Sequence, residues 1–568
     1  MAPDLNREQH QPATGTDVLV AGSGAAGLTA ALAAAAGGAR VLLVERAAAI
    51  GGTTALSFGR VWVPASHHAP GDSQEAARAY LTGLFSDRYP HMTEAFLAGA
   101  PAMARFVERH APVRFAPCPN YPDYHPGRPG AAKGGRALDI TPVRLTDLTP
   151  LAAAVRTPPG YVPLTHAEWE RWRFPDRFDW PLLDERNRRG IRAGGTALAA
   201  ALLDGAVRAG VRVLTATRLR EVRFDNRGAV HVAVIDRGGG HRDEVRTSAV
   251  ILATGGFDRD ADLRARFLPP PVTATGAAPG NTGDALRIAA DAGAVIENGG
   301  QGWWMPMTPV PGLTIEGAPF YQSLIRERAL PRQIVVNGAG RRFVDEALPY
   351  NEFCKAMNDP GAAGDYPNRV AWMILDDGFR RRYTFPAARP GADLPGWAVR
   401  TESVAELAEK TGMPADGLTA TIDKWNADCA AGVDRSFGRG ENAYERFMGD
   451  PCAGPHPNLG PLDQPAYYAV QVLCGTIGTK AGPVTSASAQ VLTATGSPVA
   501  GLYAAGNAAA FWTADGYPGP GATLGVAMTM GYLAGRHAAT AALKGRRAAT
   551  AAAAASAATA RRQDNQGN

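Results

Sequence analysis

Six consecutive residues, Gly22-Ser23-Gly24-Ala25-Ala26-Gly27, have the types and spacing of a turn that holds phosphates. In such a turn the first glycine permits a tight bend. The second lets the backbone approach a pyrophosphate, and the third lets helix and strand pack closely. The N–H groups at the start of the following helix add partial positive charge. Glu45 lies where an acid in this arrangement accepts hydrogen bonds from a ribose. A second small-residue loop follows, from Ile50 to Gly59. Its backbone and hydroxyl groups, including Gly52, Thr53, Thr54 and Ser57, are donors of the kind that bind phosphates or a flavin edge.

Placing those residues requires a βαβ unit. Val18 to Ala21 reads as a buried parallel strand, an Ala/Leu-rich helix follows, and Val41 to Val44 reads as the second strand. Ala249 to Gly256 is a further buried strand that returns to the same sheet and ends in small residues, Gly255 among them. Gly501 to Asn507 repeats that pattern, with Gly506 and Asn507 at its end, and a helix is expected from Ala527 onward. Between these returns the sequence changes character, mixing strand-like pieces such as Gln333 to Asn337 with helices over 403–411 and 416–432. The expected fold class is α/β: a Rossmann-like domain over 14–308 and 478–545, an inserted α+β domain over 309–477, and an Ala/Arg-rich tail over 546–568. Residues 74–110 read as helical, and 111–136 are too rich in Pro and Gly for regular helix. In the 156–192 stretch, Trp169, Trp172, Phe174, Phe178 and Trp180 alternate with arginines. It reads as a connection whose aromatics anchor in the core, or as a greasy basic lip.

Composition removes several classes. A net charge of +5 from 58 basic and 53 acidic residues gives no footprint for nucleic acid. The five cysteines are scattered without a CxxC, so neither a disulfide framework nor a zinc site is expected, and a reducing, cytoplasmic compartment fits. The adjacent His67 and His68 do not have ligand spacing, and no metal site is expected. The first fifteen residues are polar, without the apolar core of a signal peptide. No apolar run is long enough to span a bilayer, so at most peripheral membrane contact is expected.

GSGAAG, VERAAAIGGTTALSFG, AVILATGGF, GNTGDALRIAADAGA and GLYAAGN, in that order, resemble the FAD-dependent fumarate reductase/succinate dehydrogenase flavoprotein superfamily. Within it, Tyr121-Pro122-Asp123-Tyr124, the 340–350 segment GRRFVDEALPY and the 517–525 segment YPGPGATLG resemble the 3-ketosteroid Δ1-dehydrogenases. The resemblance implies FAD, bound non-covalently since the GGTTALS loop has no histidine. It implies cofactor contacts from Gly22, Ser23, Gly24, Ala25, Ala26, Gly27, Glu45, Arg46, Gly52, Thr53, Thr54, Ser57, Gly255, Gly506, Asn507, Thr523 and Leu524. It also implies a 3-oxosteroid substrate and an external electron acceptor, quinone-like or protein.

In that family the tyrosine matching Tyr350 takes a proton from C2 and a hydride leaves C1 for flavin N5. The tyrosine matching Tyr517 and the N–H matching Gly521 bind the C3 carbonyl, and the tyrosine matching Tyr124 supports the base. The chemistry is sound by itself: a C1–C2 desaturation beside a ketone needs an acidified C2–H, a base and a hydride acceptor, and two donors on the carbonyl stabilise the developing enolate. A free tyrosine, with a pKa of about 10, needs a hydrogen-bonding neighbour to serve as a base. Two departures from the family pattern are His125, where many relatives have an aromatic, and Arg332, where glycine is common. Competing readings are a Δ4-(5α)-ketosteroid dehydrogenase, a fumarate-type reductase and a flavoprotein without enzymatic activity. A C17 side chain on the substrate, as in cholest-4-en-3-one, would need an open mouth.

Overall fold

The computed structural model describes residues 15–238, 240–269, 272–383, 385 and 394–564, so the polar leader 1–14 and the last four residues of the tail lie outside it. The chain opens with strand β1 (Val18–Ala21), helix α1 (Ala25–Ala36) and strand β2 (Val41–Val44), all deeply buried. Then come β3 (Val61–Trp62), helix α2 (Gly194–Arg208), β4 (Arg212–Leu214) and β5 (Ala249–Leu252). The insertion supplies β6 (Gly302–Ile315), β7 (Gln333–Asn337), helix α3 (Tyr350–Met357), β8 (Ala371–Asp376) and β9 (Tyr467–Thr479). The chain closes with β10 (Gln490–Leu492), β11 (Pro498–Ala504) and helix α4 (Ala522–Asp564).

The first sheet has the order β10-β11-β5-β1-β2-β4. It is parallel except for the β10 edge. Its central strands are continuous apolar runs because α1, α2 and α4 cover one face, while the three-stranded sheet of Arg218–Phe224, Val230–Asp236 and Arg242–Arg246 and the helix Asp284–Asp291 cover the other, leaving no solvated side to alternate toward. Helix α4 presses against α1 at glycines: a Cβ on Gly531 would stand 2.3 Å from the Ala26 carbonyl, and one on Gly535 2.2 Å from that of Ala30. The second sheet is mainly antiparallel, with the order (Ala318–Ser323)-β6-β9-β8-β7 and short strands added to β9. Strands β6 and β9 run through residues 308/309 and 477/478, so the expected boundaries of an inserted domain fall inside continuous strands rather than in linkers.

Three local expectations are revised. The 74–110 stretch is two helices, Gln74–Leu81 and Pro90–His110, with a proline at the N1 position of the second. Helix α4 starts at Ala522, a turn earlier than Ala527, and so carries Thr523 in its first turn. In the 156–192 stretch the aromatics divide between core anchoring and a half-buried cluster. Phe174 is buried and Arg326 lies over both Phe174 and Trp169, 4.5 and 5.0 Å from their ring centres. Trp172, Phe178 and Trp180 form a half-buried ladder, with centroid spacings of 5.7 and 5.6 Å.

Candidate active site

Three segments far apart in sequence meet in one row of hydroxyls. Tyr124 Oη donates to Tyr350 Oη at 3.0 Å, Tyr350 Oη donates to Tyr517 Oη at 2.6 Å, and Thr523 Oγ1 donates to Tyr517 Oη at 3.2 Å. The rings meet edge to face, with centroids 5.3 to 5.5 Å apart. All three tyrosines are buried. Burial raises the phenol pKa of Tyr350 well above 10, and the neighbouring Tyr517 pushes it further; donation from Tyr124 pulls the other way. The row is therefore neutral at rest.

Each tyrosine is held by its own device. Tyr350 is the first residue of α3, where the partial positive charge of the helix N-terminus favours negative charge on its side chain. The GRRFVDEALPY segment before it is structural. Arg342 binds Glu346 and Asp434 at 2.6 and 2.8 Å, and Arg439 also reaches Glu346, so a buried ion cluster fixes the approach to α3. Tyr517 is set by its turn: buried Lys480 donates to the carbonyls of Ala514 and Gly516 at 2.6 and 3.0 Å, and lies 3.9 Å from the ring centre of Trp303. Trp303 in turn packs on Tyr517. Tyr124 is tied to the same turn, its N–H donating to the Pro518 carbonyl at 3.0 Å. Asp123 beside it accepts from Trp62 Nε1 at 2.8 Å and from Arg136 at 2.7 Å.

The YPGPG turn needs its glycines. Gly521 has φ of 90°, and a Cβ there would stand 2.4 Å from the Arg60 carbonyl; one on Gly519 would stand 2.6 Å from Trp62 Nε1. The carbonyl of Gly521 accepts from Trp62 N at 3.1 Å, while its own N–H meets no protein acceptor among the described residues. That N–H and the Tyr517 hydroxyl are the two donors available to a ketone.

The glycine-rich turn is built as a phosphate cradle. Gly22 has φ of 107°, and Cβ atoms on Gly22 and Gly27 would stand 2.2 Å from the Ala253 carbonyl and 1.9 Å from the Gly22 carbonyl. Helix α1 begins at Gly24 with no capping side chain and no acid in its first turn, which leaves its positive end for an anion. Ala25 N donates to Thr54 Oγ1 at 2.9 Å, fixing the second loop against the first. Ser23 donates from both N and Oγ to Glu45 Oε2, at 3.0 and 2.6 Å, so the acid is locked at the end of β2 with acceptor capacity left on its two oxygens. Arg46 is tied to the Gly280 carbonyl at 3.2 Å and to the Thr282 hydroxyl. Thr53 Oγ1 accepts from Ala278 N and Asn281 Nδ2, and Ser57 Oγ is turned onto its own loop. Gly255 and Gly506 both have positive φ, and Asn507 Oδ1 is buried without a protein partner. Gly52 lies against Gly24, Ala26 sits in the first turn of α1 beside Gly506, and Leu524 packs against the main core behind Thr523. An uncapped helix, crowded glycines and an orphaned buried amide oxygen together fit a dinucleotide with a ring system beyond it.

A profile of the FAD-binding domain family matches residues 17–524. The chain is 38% identical over 536 residues to a 4-oxocyclohexanecarboxylate 2-dehydrogenase of Sinomonas cyclohexanicum, covering 92% of this chain and 93% of that protein. It is 36% identical to a 3-oxosteroid 1-dehydrogenase of Mycobacterium tuberculosis, covering 93% and 99%. The crystal structure of the 3-ketosteroid Δ1-dehydrogenase of Sterolibacterium denitrificans with 1,4-androstadiene-3,17-dione superposes with a TM-score of 0.86 at 34% identity, over 93% of this chain and all of that one. The chain thus belongs to the FAD-binding flavoprotein family, within its 3-ketosteroid Δ1-dehydrogenase branch, and FAD is its cofactor.

One supporting residue of the site escaped the sequence. Lys480 sits just past β9 in a run of small and apolar residues, and a buried lysine there was a signal that went unused. Arg332 has φ of 66°; its Nε bonds Asp376 Oδ1 at 3.0 Å, and it also pairs with Asp463 at 2.5 Å. Those ion pairs compensate for a backbone conformation that glycine adopts freely. His125 keeps its Nε2 buried and unpartnered. The His67–His68 pair corrects a reading from spacing: both Nε2 atoms converge on Glu108, at 2.7 and 3.0 Å, so adjacency in sequence did not keep the two rings off one carboxylate.

One prediction concerns the cradle. Gly27→Ala puts a methyl where the Gly22 carbonyl already stands. It is expected to weaken FAD binding by about tenfold or more, from the 1–3 kcal/mol typical of overpacking. The ratio of flavin to protein absorbance after purification measures it, and a fully loaded variant would contradict the role given to that glycine.

Proposed function

We propose that the chain desaturates the C1–C2 bond of a 3-oxosteroid or a related six-ring ketone, using Tyr350 as the proton acceptor. The observation that carries this reading is the Tyr124–Tyr350–Tyr517 hydroxyl row beside a turn with an uncommitted N–H. The Gly22–Gly27 turn, Glu45 and the 51–57 loop would hold FAD, which would supply the acceptor for the C1 hydride. Tyr517 Oη and the Gly521 N–H bind the ketone oxygen and take up enolate charge. As the C2 proton reaches Tyr350 Oη, the proton of Tyr350 passes along its 2.6 Å bond to Tyr517 and that of Tyr517 to the ketone oxygen, giving a neutral enol; when the C1 hydride leaves, the C3 carbonyl re-forms and the enol proton is released to solvent. The row then carries no full phenolate, in keeping with phenols that burial holds neutral. Tyr124 donates to Tyr350 throughout and keeps its lone pair aimed.

The 4-oxocyclohexanecarboxylate 2-dehydrogenase relative supports the wider ketone class, because its named substrate is a ketone on a single six-membered ring. The Δ4-(5α) alternative has a structural counterpart that shares the fold at a TM-score of 0.65 and 22% identity, weaker than the Δ1 match. Product NMR after incubation with 4-androstene-3,17-dione tests the assignment: a C1–C2 double bond is expected, and a product desaturated elsewhere overturns it. The electron acceptor is external, of quinone or protein type. A C17 side chain is accommodated if the mouth of the site faces outward.

Among the described residues no helix is long and apolar enough to cross a membrane. Any membrane contact is peripheral, through the Trp172–Phe178–Trp180 ladder, over which Arg171 lies 5.6 Å from the Trp172 ring centre. Cosedimentation with anionic vesicles is expected and should fall several-fold in Trp172→Ser/Trp180→Ser; equal sedimentation of the variant removes the ladder from the account.

A further inference from the structure

Three deeply buried arginines of this protein have their donors spent, whereas the half-buried Arg60 beside Tyr121 does not. Arg136 binds Asp72 and Asp123 at 2.7 Å each. Arg328 serves the carbonyls of Leu324, Glu346 and Leu348, and Arg326 those of Arg173, Met448 and Gly449. Arg60 differs. Its single hydrogen bond runs from Nη2 to His166 Nδ1 at 2.8 Å, its Nε is buried without a partner, and it forms no ion pair among the described residues. His166 supplies no countercharge: burial pushes its pKa down to about 4, and its Nε2 donates to Glu170 at 2.7 Å. Asp139 lies close enough to be felt, yet its Oδ2 takes the His166 N–H at 2.6 Å rather than Arg60.

The position of Arg60 ties it to the reaction. It follows the 51–59 loop and precedes β3, and its carbonyl is the atom that a Cβ on Gly521 would strike. Its guanidinium lies 5.4 Å from the ring centre of Tyr121, three residues before Tyr124. Phe58, 5.3 Å from the guanidinium, is 64% exposed, so the cation lies against one buried ring and one exposed ring. A guanidinium with one bond made and an N–H edge free is the geometry that takes a carboxylate through two parallel bonds.

We propose that Arg60 is the receptor for a carboxylate carried by the substrate. The inference rests on the ketone-desaturating reading and narrows it: the substrates favoured are anionic ring ketones, with His166 holding the guanidinium from behind. The carboxylate could belong to the ketone ring itself or to an acidic side chain of a steroid, and the two differ in reach from the ketone.

The test uses the FAD-loaded enzyme and two acid/ester pairs: 4-oxocyclohexanecarboxylate with its methyl ester, and 3-oxochol-4-en-24-oate with its methyl ester. For one pair the acid is expected to exceed the ester by about tenfold or more in kcat/KM, mainly through KM, and Arg60→Gln should bring that ratio close to one. The pair that discriminates identifies the source. Arg60→Lys should retain part of the preference, having charge without the planar fork. Acid and ester used equally by the wild type in both pairs overturns the proposal. So does an Arg60→Gln variant that lowers both members of a pair equally, the mark of a structural or flavin-tuning role. If no ketone is turned over, the ketone reading fails, and binding of cyclohexanecarboxylate still decides the site. Perturbation of the flavin absorbance by that anion, weakened about tenfold in Arg60→Gln, supports it, and no perturbation rejects it.

Discussion

Tyr350→Phe should retain FAD and the fold while kcat/KM for a ring ketone falls by about three orders of magnitude, within the range of 10²–10⁴ that a positioned general base contributes. The substitution removes one oxygen from the middle of a buried row. Tyr124 loses its acceptor and Tyr517 loses its donor, at a stability cost of about 1–3 kcal/mol for groups left unpaired in the interior. The Arg342–Glu346–Asp434 cluster that sets the start of α3 is untouched, so the ring should stay in place. The distinguishing readout is a loss in the rate of flavin reduction with little change in substrate binding. A variant with near wild-type turnover would remove Tyr350 from the chemistry.

Tyr517→Phe should lower kcat by about 10²–10³, the typical loss for one oxyanion donor. The Gly521 N–H remains, so residual activity is expected rather than abolition. Tyr517 also sits between Tyr350 and Thr523, and its removal breaks the route by which the proton of Tyr350 moves on. The two losses share one row, so the double variant Tyr350→Phe/Tyr517→Phe should be little worse than Tyr350→Phe alone. Full additivity of the two effects would mean that the hydroxyls act separately.

The parallel core was legible because its strands are buried on both faces and read as VLVA, VLLV and AVIL without alternation. The phosphate turn was legible because sterics allow few residues there, as the 1.9 Å clash at Gly27 shows. The tyrosines were a different matter. Tyr124 and Tyr350 are 226 residues apart, and Tyr350 and Tyr517 are 167 apart, so no local period brings them together; only the family likeness did. What supports them was hidden for the same reason. Lys480 holds the 514–516 carbonyls across a long sequence gap, and the Arg342–Glu346 pair reads locally as an ordinary charged loop. Arg60 follows a glycine and carries no local motif; that it makes a single hydrogen bond and leaves its Nε unpartnered is visible only when its neighbours are in place.

The central claim is that a ring ketone delivers its hydrogen to this flavin with Tyr350 taking the proton. Anaerobic mixing of the FAD-loaded enzyme with 4-androstene-3,17-dione or 4-oxocyclohexanecarboxylate, followed at the flavin band, tests it most directly. The predicted result is rapid bleaching by at least one of the two ketones in the wild type, slowed by about a thousandfold in Tyr350→Phe. A flavin that dithionite reduces and neither ketone bleaches would contradict the account.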